Sequence, residues 1–200
     1  MLTLDNAKKW LKLFADQIEK NKQYLTELDM PIGDSDHGMN MARGAEEYQK
    51  AIQEKNPGNL GDLFKTTAMA ILTKVGGASG PLYSTAFLQM AKYADGKDKL
   101  NYNQIVEMLN TGLAGIQMRG KANLNEKTMV DLWHPALEAL KSKKLSEALI
   151  DTLVNNTKPI KATKGRASYL GERSVGHIDP GSASSGLFFK TLIKSGALND

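Results

Sequence analysis

Apolar residues recur at helical spacing from one end of the chain to the other. Leu4, Ala7, Leu11, Phe14, Ile18 and Leu25 repeat at intervals of three, four and seven, on one face of a helix. The same period predicts a second helix from near Asp36 through Met39, Ala42, Tyr48, Ala51 and Ile52 to the Asn56-Pro57-Gly58 turn. A third covers about 59–74 and stops at Gly76-Gly77. Ser79, read as an N-cap, opens a fourth that carries Pro81 in its first turn and ends near Asp95-Gly96. A fifth is expected over 102–119, a sixth over 127–141 with a kink at Pro135, a seventh over 145–160 and an eighth over 182–195. No segment alternates with the period of two that a half-buried strand requires. Short connections favour antiparallel neighbours, so residues 1–200 read as a single, monomeric, all-α domain of up-and-down topology.

Composition narrows what such a domain can do. A chain that is 41% hydrophobic and 24% charged is too apolar for disorder. Cysteine is absent, which excludes disulfides, thiol catalysis and zinc–thiolate sites. The net charge of +4 permits a nucleic-acid partner. The longest basic cluster, KSKK at 141–144, falls where a helix ends and cations complement its dipole, so none is expected. The opening MLTLDNAKKWLKLF lacks the apolar core of a signal peptide, and no stretch is long enough for a membrane span. A cytoplasmic protein without membrane contact is the expectation.

Three loops carry residues that packing does not require. The first, LDMPIGDSDHGMN at 28–40, crowds Asp29, Asp34 and Asp36 together with no lysine or arginine among them. Their spacing does not fit one helix face, so the loop must converge them. Carboxylate oxygens suit hard cations such as Mg²⁺. An EF-hand is excluded, because the twelfth position counted from Asp34 is Ala45. Asp34 and Asp36 would equally serve as helix caps, and His37 could contact a phosphate or simply sit in the first helical turn. The second loop, VGGASGPLYST at 75–85, has glycines for close backbone approach and a helix N-terminus suited to an anion, but no Walker lysine. The third, 165–186, adds Arg166 and Arg173 on a glycine-punctuated segment. Carboxylates, glycine-backed helix starts and arginines are together the parts of a nucleotide phosphate site. Three carboxylates and a nucleoside diphosphate carry about −3 each, which makes two Mg²⁺ ions more plausible than one.

IGDSDHGMNM, GGASGPLYSTAF, RGKANLNEKTMVDLWHPA and GRASYLGERSVGHIDPGSASS resemble, in order and spacing, the nucleotide-binding L subunits of dihydroxyacetone kinases. The resemblance implies an eight-helix antiparallel barrel with ADP or ATP at one end, held through two Mg²⁺ ions. It implies Asp29, Asp34 and Asp36 as metal ligands that, with Arg166, carry the phosphoryl chemistry. Nucleotide contacts are implied at His37, Gly38, Met39, Asn40, Ala78, Ser79, Gly120, Met129, Arg166, Asp179, Pro180 and Gly181. The segment NLNEKT at 123–128 departs from the Pro-Gly turn that relatives often carry. With no substrate-binding kinase domain in the sequence, the resemblance is to the separate subunit. In that family the nucleotide stays bound, takes phosphate from the phosphohistidine of a phosphotransferase-system M subunit, and passes it to dihydroxyacetone on a K subunit. The alternatives are an ATP-using relative that phosphorylates dihydroxyacetone or fatty acids, and a nucleotide-binding regulator of a transcription factor.

Overall fold

The computed structural model describes residues 1–199. Among these residues eight α-helices follow one another: α1 (Leu4–Asp29), α2 (His37–Lys55), α3 (Leu60–Lys74), α4 (Ser79–Ala94), α5 (Tyr102–Gly120), α6 (Val130–Lys141), α7 (Glu147–Asn155) and α8 (Pro180–Ser195). Each packs against its neighbour in sequence, and α8 closes the ring by packing on α1 and α6. The all-α, up-and-down expectation holds. It missed a two-residue antiparallel ladder, β1 (Leu2–Thr3) with β2 (Lys99–Leu100), too short to show a period.

The interior is aromatic. Phe188, fully buried on α8, meets Trp10 and Phe14 of α1, Phe87 of α4 and Trp133 of α6 at ring separations of 4.6–5.8 Å. Trp10 fastens the same point by donating from Nε1 to the Phe188 carbonyl at 3.0 Å. One side chain thus ties the closing helix to three others. Pro135 sits inside α6, and the helix continues through it unbroken.

Four element ends differ from the sequence reading, with α7 starting at Glu147 rather than 145 and α8 at Pro180 rather than 182. α6 starts at Val130 rather than 127, because residues 123–128 form a turn in which Asn125 and Lys127 adopt φ of 65° and 59°. α7 stops at Asn155 instead of reaching 160, and the turn after it is bonded from Thr157 N to Val154 O. Between α7 and α8 the chain forms a 3₁₀ segment, Arg166–Ser174.

The two ends of the bundle are capped differently. At one end α1, α3, α5 and α7 each begin with a side chain that accepts from the helix: Thr3, Asn59, Asn101 and Ser146. At the other end the N-cap residues of α2, α4 and α6, which are Asp36, Ala78 and Met129, make no such bond, and only that of α8, Asp179, does. The second end is where the three unusual loops converge.

Replacing Phe188 with Ala should destabilise the protein by about 3–5 kcal/mol, the usual cost of emptying a fully packed aromatic site. Urea denaturation measures this directly. A loss under about 1 kcal/mol would show that Phe188 does not hold the ring closed.

Candidate functional site

The open end holds a cavity of about 450 Å³, within the size range of small-ligand sites. Asp29 ends α1, Asp34 lies in the connecting loop and Asp36 precedes α2, and the turn between them brings one carboxylate oxygen of each within 4.8 Å of the others. Asp29 is buried, and its Oδ2 accepts from the backbone N–H of Asp36 at 3.0 Å and of His37 at 3.2 Å. The cap of α2 is therefore supplied by Asp29 from the preceding helix. Asp36 stands at the N-cap position without a capping bond, so the reading of Asp34 and Asp36 as mere caps does not hold.

The geometry around this cluster fits a hard cation. A Cβ on Gly33 would overlap Asp29 Oδ1, so glycine there leaves room for the carboxylate. Burial pushes the Asp36 carboxyl above its ordinary range; a hydrogen bond from Asn40 opposes this and the Asp34 charge adds to it. Crowded carboxylates with oxygen-only donors are the donor set that Mg²⁺, Mn²⁺ or Ca²⁺ prefer. Among the described residues, the one cationic side chain paired with the cluster is Arg166, whose Nε lies 3.0 Å from Asp34 Oδ2. This pair is largely exposed, so it adds little to stability and leaves the guanidinium reachable by a ligand.

His37 is buried and central to a different network. Its Nδ1 lies 2.9 Å from Ser79 Oγ and its Nε2 lies 3.0 Å from Ser184 Oγ. Tyr83 OH joins Ser184 and Ser185 at 2.8 and 2.9 Å, and Trp133 Nε1 donates to Ser185 Oγ at 3.0 Å. Burial pushes the imidazole down to about 4, so it is neutral at pH 7 and offers a phosphate no charge. Ser79, expected as the cap of α4, is its first residue, and its hydroxyl is engaged with His37. The N-terminus of α4 is thus free of any side-chain cap at the cavity wall, an arrangement that favours an anion.

Ala78, Ser79, Gly120, Met129, Arg166, Asp179, Pro180 and Gly181 all line the cavity, as do Asp29, Asp34, Asp36 and His37. Gly38, Met39 and Asn40 stand outside this wall. A Cβ on Gly38 would overlap the Lys22 carbonyl oxygen, so this residue serves the close packing of α2 on α1. Met39 is half exposed, and Asn40 lies against Gly76 behind the wall. Leu82, Ile116, Met129 and Val130 give the cavity an apolar stretch beside its charged one. The wall also includes Arg119, Lys127 and Lys164, which the motifs did not single out. Arg119 and Lys164 sit beside Gly120 and Gly165, and that adjacency was the available signal. Lys127 is buried, with its ammonium donating to backbone carbonyls, and burial lowers its pKa while the Asp179 and Asp131 charges oppose that.

A family model described as DAK2 domain matches residues 31–194. The ADP-binding subunit DhaL of the PEP-dependent dihydroxyacetone kinase 1 of Listeria innocua is 49% identical over 191 residues, covering 96% of each chain. The corresponding subunit of the PTS-dependent kinase of Lactococcus lactis is 50% identical, over 97% of this chain and 98% of that one. The crystal structure of the C. freundii dihydroxyacetone kinase in complex with AMP-PNP and Mg²⁺ superposes with a TM-score of 0.74 at 26% identity. That likeness covers 94% of this chain and 33% of the C. freundii chain, so the present chain spans about a third of that kinase.

Asp179 yields a pH test. Burial pushes its carboxyl up to about 6, against the hydrogen bonds it accepts at the start of α8. The folded chain then binds more protons than the unfolded one between about pH 4 and about pH 6, so stability falls as pH rises through that window. Asn at 179 keeps the cap and removes the ionisation. The melting temperature of Asp179→Asn should rise relative to wild type from about pH 4 to about pH 6, and the difference should stay constant above. A difference independent of pH would contradict the assignment.

Proposed function

The chain belongs to the DAK2-domain family, and on that premise we propose that it is the ADP-binding subunit of a phosphotransferase-system-dependent dihydroxyacetone kinase. The observation that carries this reading is the carboxylate cluster of Asp29, Asp34 and Asp36, set beside Arg166 and the uncapped start of α4 in one cavity. Identity of 49–50% to subunits named for PEP- or PTS-dependent kinases, against 26% to the AMP-PNP-bound kinase, favours the phosphotransferase-system donor over free ATP.

Asp29, Asp34 and Asp36 would hold two Mg²⁺ ions, which supply the positive charge that a crowded diphosphate needs. Bound ADP would accept the phosphoryl group of a phosphohistidine on an M subunit and release it to a hydroxyl of dihydroxyacetone on a K subunit, returning to ADP. Arg166 would stabilise charge on the transferring group and the α4 start would receive a phosphate, a reading supported by the ion pair of Arg166 with Asp34 and the uncapped start of α4. The apolar wall at Leu82, Ile116 and Met129 suits the base. His37 and Ser79 orient the α4 start, and neither is needed as a general base, because the partners provide the leaving histidine and the nucleophile.

Partner engagement has a surface to use. Met30, Met39, Leu72, Met118, Leu124 and Tyr169 are exposed, and all lie on segments at the cavity end of the bundle. Apolar groups collected around a ligand site fit macromolecular docking. Among the described residues no helix is long and apolar enough to cross a membrane.

Mass spectrometry of protein denatured after purification should reveal retained ADP or ATP. Phosphate should reach dihydroxyacetone when phosphorylated M subunit and K subunit are added, and not with free ATP and K subunit alone. Preparations that are repeatedly empty and do not bind Mg-ADP would overturn the coenzyme reading.

A further inference from the structure

The turn at 123–128 is fastened to the segment that carries Arg166. Lys127 is 2% exposed, and its Nζ donates to the carbonyl oxygens of Thr157 at 2.7 Å, Ile160 at 3.1 Å and Lys158 at 3.3 Å, and to that of His177. These oxygens lie just beyond the C-terminus of α7 and just before α8, so one ammonium gathers both ends of the intervening segment. The negative end of the α7 dipole adds to the attraction. Thr163 N donates to Glu126 O at 3.2 Å, and Ser182 Oγ donates to Thr128 O at 2.9 Å, which fixes the same turn from both sides.

The turn itself is held in a costly shape. A lysine at φ 59° is uncommon, and such strain persists only where the surroundings determine it. Here Asp131 accepts from the N–H of Asn125 and, at 2.8 Å, from that of Thr128. A lysine in a ligand cavity would ordinarily be assigned to a phosphate, but this ammonium is already committed to carbonyl groups. Its reach to the site is indirect. The segment between its anchor points, 161–176, contains Arg166, whose other attachment is the ion pair with Asp34.

We propose that Lys127 is a positioning residue whose buried ammonium closes the 157–177 segment on the bundle and thereby holds Arg166 over the aspartate cluster. The proposal rests on the reading of the cavity as a Mg-ADP site. Three measurements on Lys127→Met and Lys127→Gln test it. Trypsin should cut both variants within Lys161–Arg173 at least tenfold faster than wild type. Mg-ADP affinity, measured well below the melting temperature, should fall at least tenfold. In a double-mutant cycle, Arg166→Ala should weaken Mg-ADP binding in wild type and add little in the Lys127→Met background.

Proteolysis and affinity unchanged from wild type would overturn the proposal. So would effects of Lys127→Met and Arg166→Ala that simply multiply, since Lys127 would then act independently of Arg166. Global unfolding of both Lys127 variants would also overturn it, assigning the ammonium to the fold as a whole. If wild type does not bind Mg-ADP, the nucleotide reading fails by itself, and the trypsin measurement still decides whether Lys127 closes the segment.

Discussion

An antiparallel ring of eight helices collects four helix N-termini at each end, and this chain treats its two ends in opposite ways. Where α1, α3, α5 and α7 begin, local side chains satisfy the first N–H groups. Where α2, α4 and α6 begin, the N-cap residue makes no such bond: Asp29 caps α2 from the preceding helix, Thr128 Oγ1 accepts from the Val130 N–H at 3.2 Å, and α4 has no side-chain cap. The positive end of the α4 dipole therefore faces the cavity with no side chain to neutralise it, and negative charge is expected there. The same field explains how three aspartates tolerate one another: Asp29 spends its charge on the start of α2, and Asp34 is paired with Arg166. What remains uncompensated is charge suited to a divalent cation.

The site is rigid because it is continuous with the core. α8 carries Phe188 in the aromatic centre and Asp179, Pro180 and Gly181 at the cavity. The hydrogen-bonded series from Ser79 through His37, Ser184, Tyr83 and Ser185 to Trp133 joins α4, α2, α8 and α6 below the wall. Among the described residues no buried polar side-chain atom lacks a partner, so this network specifies one arrangement of the four helices. Against that frame, among the described residues of 157–177 only Ala162 joins the buried apolar residues. Polar fastenings, Lys127 foremost, take over there.

Much of this was legible in the sequence, for reasons that differ by element. Helix periodicity reports burial, and burial decides these helices, so Leu60–Lys74 and Tyr102–Gly120 fall within a residue or so of expectation. The aspartates stood out because polar groups crowded without a local neutraliser need a ligand or a distant partner. Arg166, 130 positions or more away in sequence, could not be seen as that partner from local pattern. Ser79 was misread because a serine before a helix signals a cap only if its hydroxyl is free, and His37 claims it. Lys127 was invisible for a related reason. Its partners are backbone carbonyls, which every residue type carries, so no residue pattern records them.

We propose that Asp34 and Asp36 serve metal-bound nucleotide rather than the start of α2, which Asp29 caps. Because Asp36 makes no capping bond and Asp29 does the capping, Asn at 34 or 36 should cost the ligand-free protein little. The decisive measurement is Mg-ADP affinity together with thermal melting, with and without Mg-ADP, for wild type, Asp34→Asn and Asp36→Asn. The account predicts a nearly unchanged ligand-free melting temperature, and loss of both affinity and nucleotide-dependent stabilisation in each variant. Wild-type affinity in both variants would contradict it.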